Sequence, residues 1–168
     1  MNKLTLALAV LFAVVALSFS PSAQAMDPLH ASCKLTWNFP SQNCTQTQNF
    51  FLNSIKEMDN TNCGEGDNLN QKCRYKLVST QTNAMKATHT TPKKKYIDDL
   101  SFEFKDIDTG CKVEAFSTSE VWYAHLDFGT NYCNLRNLGD HSVGLGSVDF
   151  EEKVGSCTQQ SSADCTKM

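Results

Sequence analysis

Apolar and polar residues alternate by twos along most of this chain, and in one stretch they recur by threes and fours. Leu35, Trp37 and Phe39 alternate with Lys34, Thr36 and Asn38, the spacing of a strand, and Pro40 ends it. From about Thr47 to Asp59 the period changes: Phe51, Ile55 and Met58 stand at i, i+4 and i+7 with Phe50 beside them, so the spacing predicts a helix with one apolar stripe. Strand alternation resumes at Cys73, Tyr75 and Leu77. It returns after the polar turn STQTN at Met85, Ala87 and His89, then again at Leu100, Phe102 and Phe104. The turn DIDTG leads into Cys111, Val113 and Ala115. A last strand is expected where Trp122, Ala124, Leu126 and Phe128 alternate with Val121, Tyr123, His125 and Asp127, with Trp122 meeting the helix stripe and the run ending at Gly129. The pattern therefore predicts an α+β fold in which an antiparallel meander packs on one N-terminal helix. Beyond Leu138 the chain is rich in Gly and Ser and reads as a small stapled end, and before Cys33 it reads as a loose arm.

The segment from Met1 to Ala25 changes the picture from fold to compartment. Asn2 and Lys3 precede an uncharged apolar run from Leu4 to Ser20, followed by Ala23-Gln24-Ala25, the order of a secretory signal peptide cleaved after Ala25. Residues 26–168 are then expected to form a single disulfide-rich extracellular domain with no membrane span. Without Lys3 the mature chain carries 14 of the 15 Lys and Arg against 18 Asp and Glu, a net charge of −4, which argues against a nucleic-acid partner. The one basic run, Lys93-Lys94-Lys95, is answered by Asp98 and Asp99 and reads as a solvated loop.

Eight cysteines follow the cleavage site: Cys33, Cys44, Cys63, Cys73, Cys111, Cys133, Cys157 and Cys165. An even number in an exported chain predicts four disulfides, and no C-x-x-C pair suggests zinc. Thirteen helical residues would hold Cys44 and Cys63 about 20 Å apart, too far to pair, so Cys63–Cys73 is the favoured local bridge. If the Trp122–Phe128 strand pairs antiparallel with the one before it, Cys111–Cys133 is favoured, and Cys157–Cys165 closes the tail. Other connectivities remain open.

Candidate chemistry is sparse. Asn43-Cys44-Thr45 matches the glycosylation pattern and makes Asn43 a candidate carbohydrate site. Asp106, Asp108 and Gly110 begin like a calcium loop but lack its later ligands, so a hairpin turn accounts for them. Gly144 and Gly146 are a lone G-x-G, and no G-x-S-x-G is present. Glu120, His125, Asp127, Asp140 and His141 carry the groups for metal or acid–base chemistry without its spacing, and polar residues are expected on an outer sheet face. No catalytic residue, metal ligand or cofactor is assigned.

The order strand, helix, meander over about Lys34 to Phe128 resembles the cystatin arrangement, in which a sheet wraps one helix. That resemblance implies the fold alone, because the Q-x-V-x-G wedge of that family is absent and the corresponding turn reads STQTNAMKA. The expected function is a secreted, disulfide-stabilised binding or interaction protein, with an extracellular protein or a small apolar ligand as partner. The alternatives are a secreted, hydrolase-like enzyme whose site no motif marks, and a cystatin-like inhibitor lacking the usual motif.

Overall fold

The computed structural model describes residues 30–66, 69–121, 123 and 125–166. The expected signal peptide, the arm before residue 30, and Trp122 and Ala124 lie outside the described residues. The rest forms two layers: a six-stranded antiparallel sheet and two helices on one of its faces. The strands are β1 (Ser32–Pro40), β2 (Tyr75–Gln81), β3 (Ala84–Thr90), β4 (Ile97–Ile107), β5 (Gly110–Ser119) and β6 (Glu151–Cys157), in the order β2-β3-β4-β5-β1-β6. The helices are α1 (Cys44–Met58) and α2 (Thr130–Gly144).

The apolar alternation becomes the inner face of the sheet. Leu35, Trp37 and Phe39 of β1, Met85 and Ala87 of β3, Leu100, Phe102 and Phe104 of β4 and Val113 and Ala115 of β5 are all buried. Lys34, Lys86, Glu103 and Lys105 alternate with them and are exposed on the other face. Helix α1 lays Phe51, Ile55 and Met58 on this surface, as its period requires. Phe51 is the hub, with ring centroids 5.7 Å from Trp37, 5.9 Å from Phe39, 5.5 Å from Phe102 and 5.9 Å from Phe104. The helix begins at Cys44, three residues before the apolar stripe suggests. Asn43 caps it by accepting from Gln46 N at 2.9 Å, and Asp106 accepts from Cys44 N at 2.9 Å. Asp106 thus belongs to a helix cap, while Asp108 and Thr109 form the hairpin turn.

Three expectations are corrected. The stretch Val121–Phe128 is not a strand where it is described: it is a loop from β5 into α2, and Tyr123, Leu126 and Phe128 are exposed. Residues beyond Gly129 form a second helix and a sixth strand, which pairs with β1 and seals the core with Val154 and Phe150. Trp37 therefore lies in an interior strand, donating from Nε1 to Glu152 of β6 at 2.8 Å. The same carboxylate accepts from Tyr132 Oη at 2.9 Å and pairs with Arg136 at 3.3 Å, joining α2 to the sheet. The arm before Cys33 is anchored from Ala31 onward: Ala31 is buried, its carbonyl accepts from Ser119 N, and Ser32 exchanges hydrogen bonds with Thr158.

All eight cysteines are paired, as Cys33–Cys157, Cys44–Cys111, Cys63–Cys73 and Cys133–Cys165. The favoured pairs Cys111–Cys133 and Cys157–Cys165 do not form. Because the chain leaves Ser119 as a loop rather than returning as a strand, Cys133 stays near the end of β5 opposite to Cys111. At Cys111's end lies the start of α1, which brings Cys44 to it. Cys157 stands opposite Cys33 in the β1–β6 register, which leaves Cys165 to reach Cys133.

Candidate functional site

The inner face of the sheet is apolar along most of its length and polar at one end. In β3 the inward series Met85, Ala87 ends in His89. In β4 the series Leu100, Phe102, Phe104 is preceded by Asp98, and in β5 Val113 and Ala115 are followed by Ser117 and Ser119. The antiparallel register sets His89 opposite Asp98, Asp98 opposite Ser119 and Leu100 opposite Ser117, so the four polar residues gather at one corner.

Helix α2 caps that corner with amides. Asn131 and Asn134 stand three apart on its buried face, with Asn137 three further on. Asn134 donates from Nδ2 to Asp98 Oδ2 at 2.8 Å and faces Ser117 Oγ at 3.4 Å. Ser117 donates to Asn131 Oδ1 at 2.6 Å, and Asn131 donates from Nδ2 to Asp127 Oδ2 at 2.9 Å. Tyr75 of β2 donates to the Asn134 carbonyl at 3.0 Å. A largely buried polar chain therefore runs from Tyr75 to the half-buried Asp127, with Asn134 Oδ1 left without a partner.

Burial shifts the titrating members. Asp98, 3 % exposed, is pushed up to about 6, first by desolvation; the Asn134 amide and Ser119 hydroxyl offset part of this, while Asp127 and Asp99 add to it. His89 is fully buried with its ring centroid 4.6 Å from that of Tyr75. Desolvation lowers it to about 4, with the carbonyls of Gln71 and Cys73 resisting. Neither ring nitrogen reaches full hydrogen-bond geometry with those carbonyls.

Over this corner opens a cleft of about 870 Å³. Asp98, Ser119 and Asp127 line its floor, while Tyr96, Tyr123, Leu126 and Phe128 supply exposed apolar walls. Lys93 and Lys94 stand at the rim, on the turn between β3 and β4. Among the described residues, seven large apolar side chains are exposed, and four of them line this cleft. That concentration separates it from ordinary surface.

The wall is braced from behind by the C-terminal segment. Gln159 Oε1 accepts from Asp127 N and from Phe128 N, both at 2.9 Å. Phe128 and Gly129 both have positive φ, 52° and 86°, and a Cβ on Gly129 would lie 2.5 Å from Ala163 Cβ. Asp127 caps α2 through Asn131 N at 3.0 Å and Gly129 N at 3.1 Å, and Cys133–Cys165 ties that helix to the tail.

Of the residues with candidate chemistry, His125 and Asp127 line the cleft, whereas Asp140 and His141 sit on the far turns of α2. Asp140 pairs with Arg136 at 2.8 Å, His141 pairs with Glu57 at 3.0 Å, and Glu120 is exposed just after β5 and does not line the cleft, so the five do not converge. No group of three or more His, Cys, Asp or Glu positioned to hold a metal ion occurs among the described residues. Asn43 is exposed at the start of α1, beside Cys111 and remote from the cleft. Sequence reasoning missed Asp98, Ser119, Asn131 and Asn134. A signal existed, since three strands lose their apolar inward series at ends that antiparallel pairing brings together. No protein-family model, curated protein or solved structure matches the chain at a significant level.

Proposed function

We propose that this chain is a secreted, disulfide-stabilised binding protein that holds a small ligand with an apolar body in the cleft between the β3–β4 turn and the 120–129 loop. The observation that carries the reading is the gathering of exposed apolar side chains over a buried polar floor, in a cleft within the roughly 300–1,000 Å³ usual for small-molecule sites. Export is supported by the leader-like segment Met1–Ala25 and by four disulfides, which suit an oxidising compartment. Among the described residues no helix is long and apolar enough to cross a membrane. Binding is favoured over hydrolysis because the floor hydroxyl of Ser119 is engaged by the Asp98 carboxylate and by Val121 N rather than by an imidazole. Asn43 is a proposed carbohydrate site on the opposite end of the molecule, where a glycan would leave the cleft open.

The test is titration of the oxidised chain with N-phenyl-1-naphthylamine, a neutral apolar fluorophore. Saturable one-to-one binding, weakened by Leu126→Ser and by Phe128→Ser, is expected. Binding indifferent to both substitutions would place the apolar site elsewhere. Sequencing the N-terminus of the exported chain should return Met26, and a chain that keeps the segment Met1–Ala25 would overturn the export reading.

A further inference from the structure

We propose that the ligand of this cleft is an organic ammonium ion, its charged group seated against Asp98 and its aromatic or branched apolar body against Tyr96, Leu126 and Phe128. The inference deepens the small-ligand reading and rests on it. Asp98 is an almost fully buried carboxylate, and among the described residues no lysine, arginine or histidine forms an ion pair with it. Its charged neighbours are Asp127 and Asp99, which carry its own sign, and the opposing imidazole of His89 is held neutral by burial. A carboxylate removed from water without a counter-ion is a costly arrangement, and it is retained here with one amide donor and one hydroxyl to support the charge.

A cation entering from the cleft supplies the missing partner. Its N–H groups complete the acceptor capacity of Asp98 in a desolvated site, where charge-assisted hydrogen bonds are strong. Aromatic walls suit the same ligand, because Tyr and Phe faces attract an alkylammonium as well as an apolar body. The rim sets the orientation. Lys93 and Lys94 make the mouth positive while the floor is negative, so the ammonium points inward and the apolar body fills the walls.

Calorimetric titration of the oxidised full chain at neutral pH, with phenethylammonium and its neutral isostere phenethyl alcohol, tests this. The ammonium should bind at least about tenfold more tightly than the alcohol, with the anion phenylacetate weakest. Asp98→Asn should abolish the preference, whereas Leu126→Ser should weaken both probes by a similar factor. Equal affinities in the native chain, phenylacetate binding best, or a preference surviving in Asp98→Asn would each overturn the proposal. If Asp98→Asn does not fold, the ranking of the three probes in the native chain decides. Binding of the alcohol alone refutes the ammonium and leaves the small-ligand reading standing, whereas binding of none of the three overturns both.

Discussion

Asp98 and His89 face each other across β3 and β4 and respond to burial in opposite ways. Asp98 holds its proton more tightly in the folded chain, rising from its usual 3.8 to about 6. Its contribution is therefore fully present below pH 4 and is lost as pH rises through 6. His89 is lowered from 6.5 to about 4, so its contribution is present above pH 6.5 and is lost as pH falls through 4. Each shift corresponds to roughly 3 kcal/mol, and between pH 4 and 6 the two slopes oppose. Stability of the native chain should accordingly vary little there from this pair. Asp98→Asn should make stability rise with pH across that window relative to the native chain, and His89→Gln should make it fall. Urea midpoints measured at half-unit pH steps check both signs, and parallel curves for all three proteins would refute the assignment. Elsewhere in the core, size rather than charge decides. Phe51 touches four other rings, so Phe51→Ala should cost about 3–5 kcal/mol through lost burial and a cavity, while the exposed Leu126→Ala should stay within about 0.5 kcal/mol.

Helix α2 shows how an element escapes its own sequence. Its buried face carries Asn131, Asn134, Asn137 and Gly139 as well as Leu135 and Leu138, so the apolar period that announces α1 is diluted by amides. Asn134 answers Asp98, 36 residues away, and Asn131 answers Ser117, 14 residues away, as well as the nearby Asp127. Gly139 reads as a breaker, yet it is a contact position: a Cβ there would meet Phe150 at 3.0 and 3.3 Å and Trp37 at 3.5 Å. Gly139→Val should destabilise by about 1–3 kcal/mol despite removing a helix-interior glycine, because its branches collide with both rings. Gly144, at the last helical position with open space around it, should accept Ala with a gain of up to about 1 kcal/mol. Thermal unfolding of the two variants reads both effects, and a stabilised Gly139→Val would show that α2 does not approach β1 as described. In β1, β3, β4 and β5 and in α1, by contrast, alternation and period carried the element types directly, since large apolar side chains recur on the buried face along most of each element.

Across the whole molecule the four bridges divide the stability unequally. Cys33–Cys157 spans 124 residues and clasps β1 to β6, whereas Cys63–Cys73 spans 10 and closes a local loop. On the loop-entropy account, removing the first as a Ser pair should cost about 5 kcal/mol and removing the second about 3 kcal/mol. Melting temperatures of the two double variants should rank accordingly. The bridge Cys133–Cys165 has a different role, because it ties the tail that braces Asp127, Phe128 and Gly129. Its removal should weaken binding of the apolar fluorophore more than the longer bridge does at temperatures where both variants remain folded.

The sequence by itself determined the α+β class, the first helix, the alternating core strands and the even cysteine set, because each follows from neighbours a few residues apart. It also marked Asn43 and the leader-like segment Met1–Ala25. Tertiary structure alone decided the sixth strand, three of the four cysteine pairings and the cleft. Its polar floor takes Asp98 and Ser119 from the ends of β4 and β5 and Asp127 from the loop before α2, and it rests on buried polar residues of β3 and of one face of α2. No local period records such an assembly, since most of those residues are buried by partners that only the folded register brings to them.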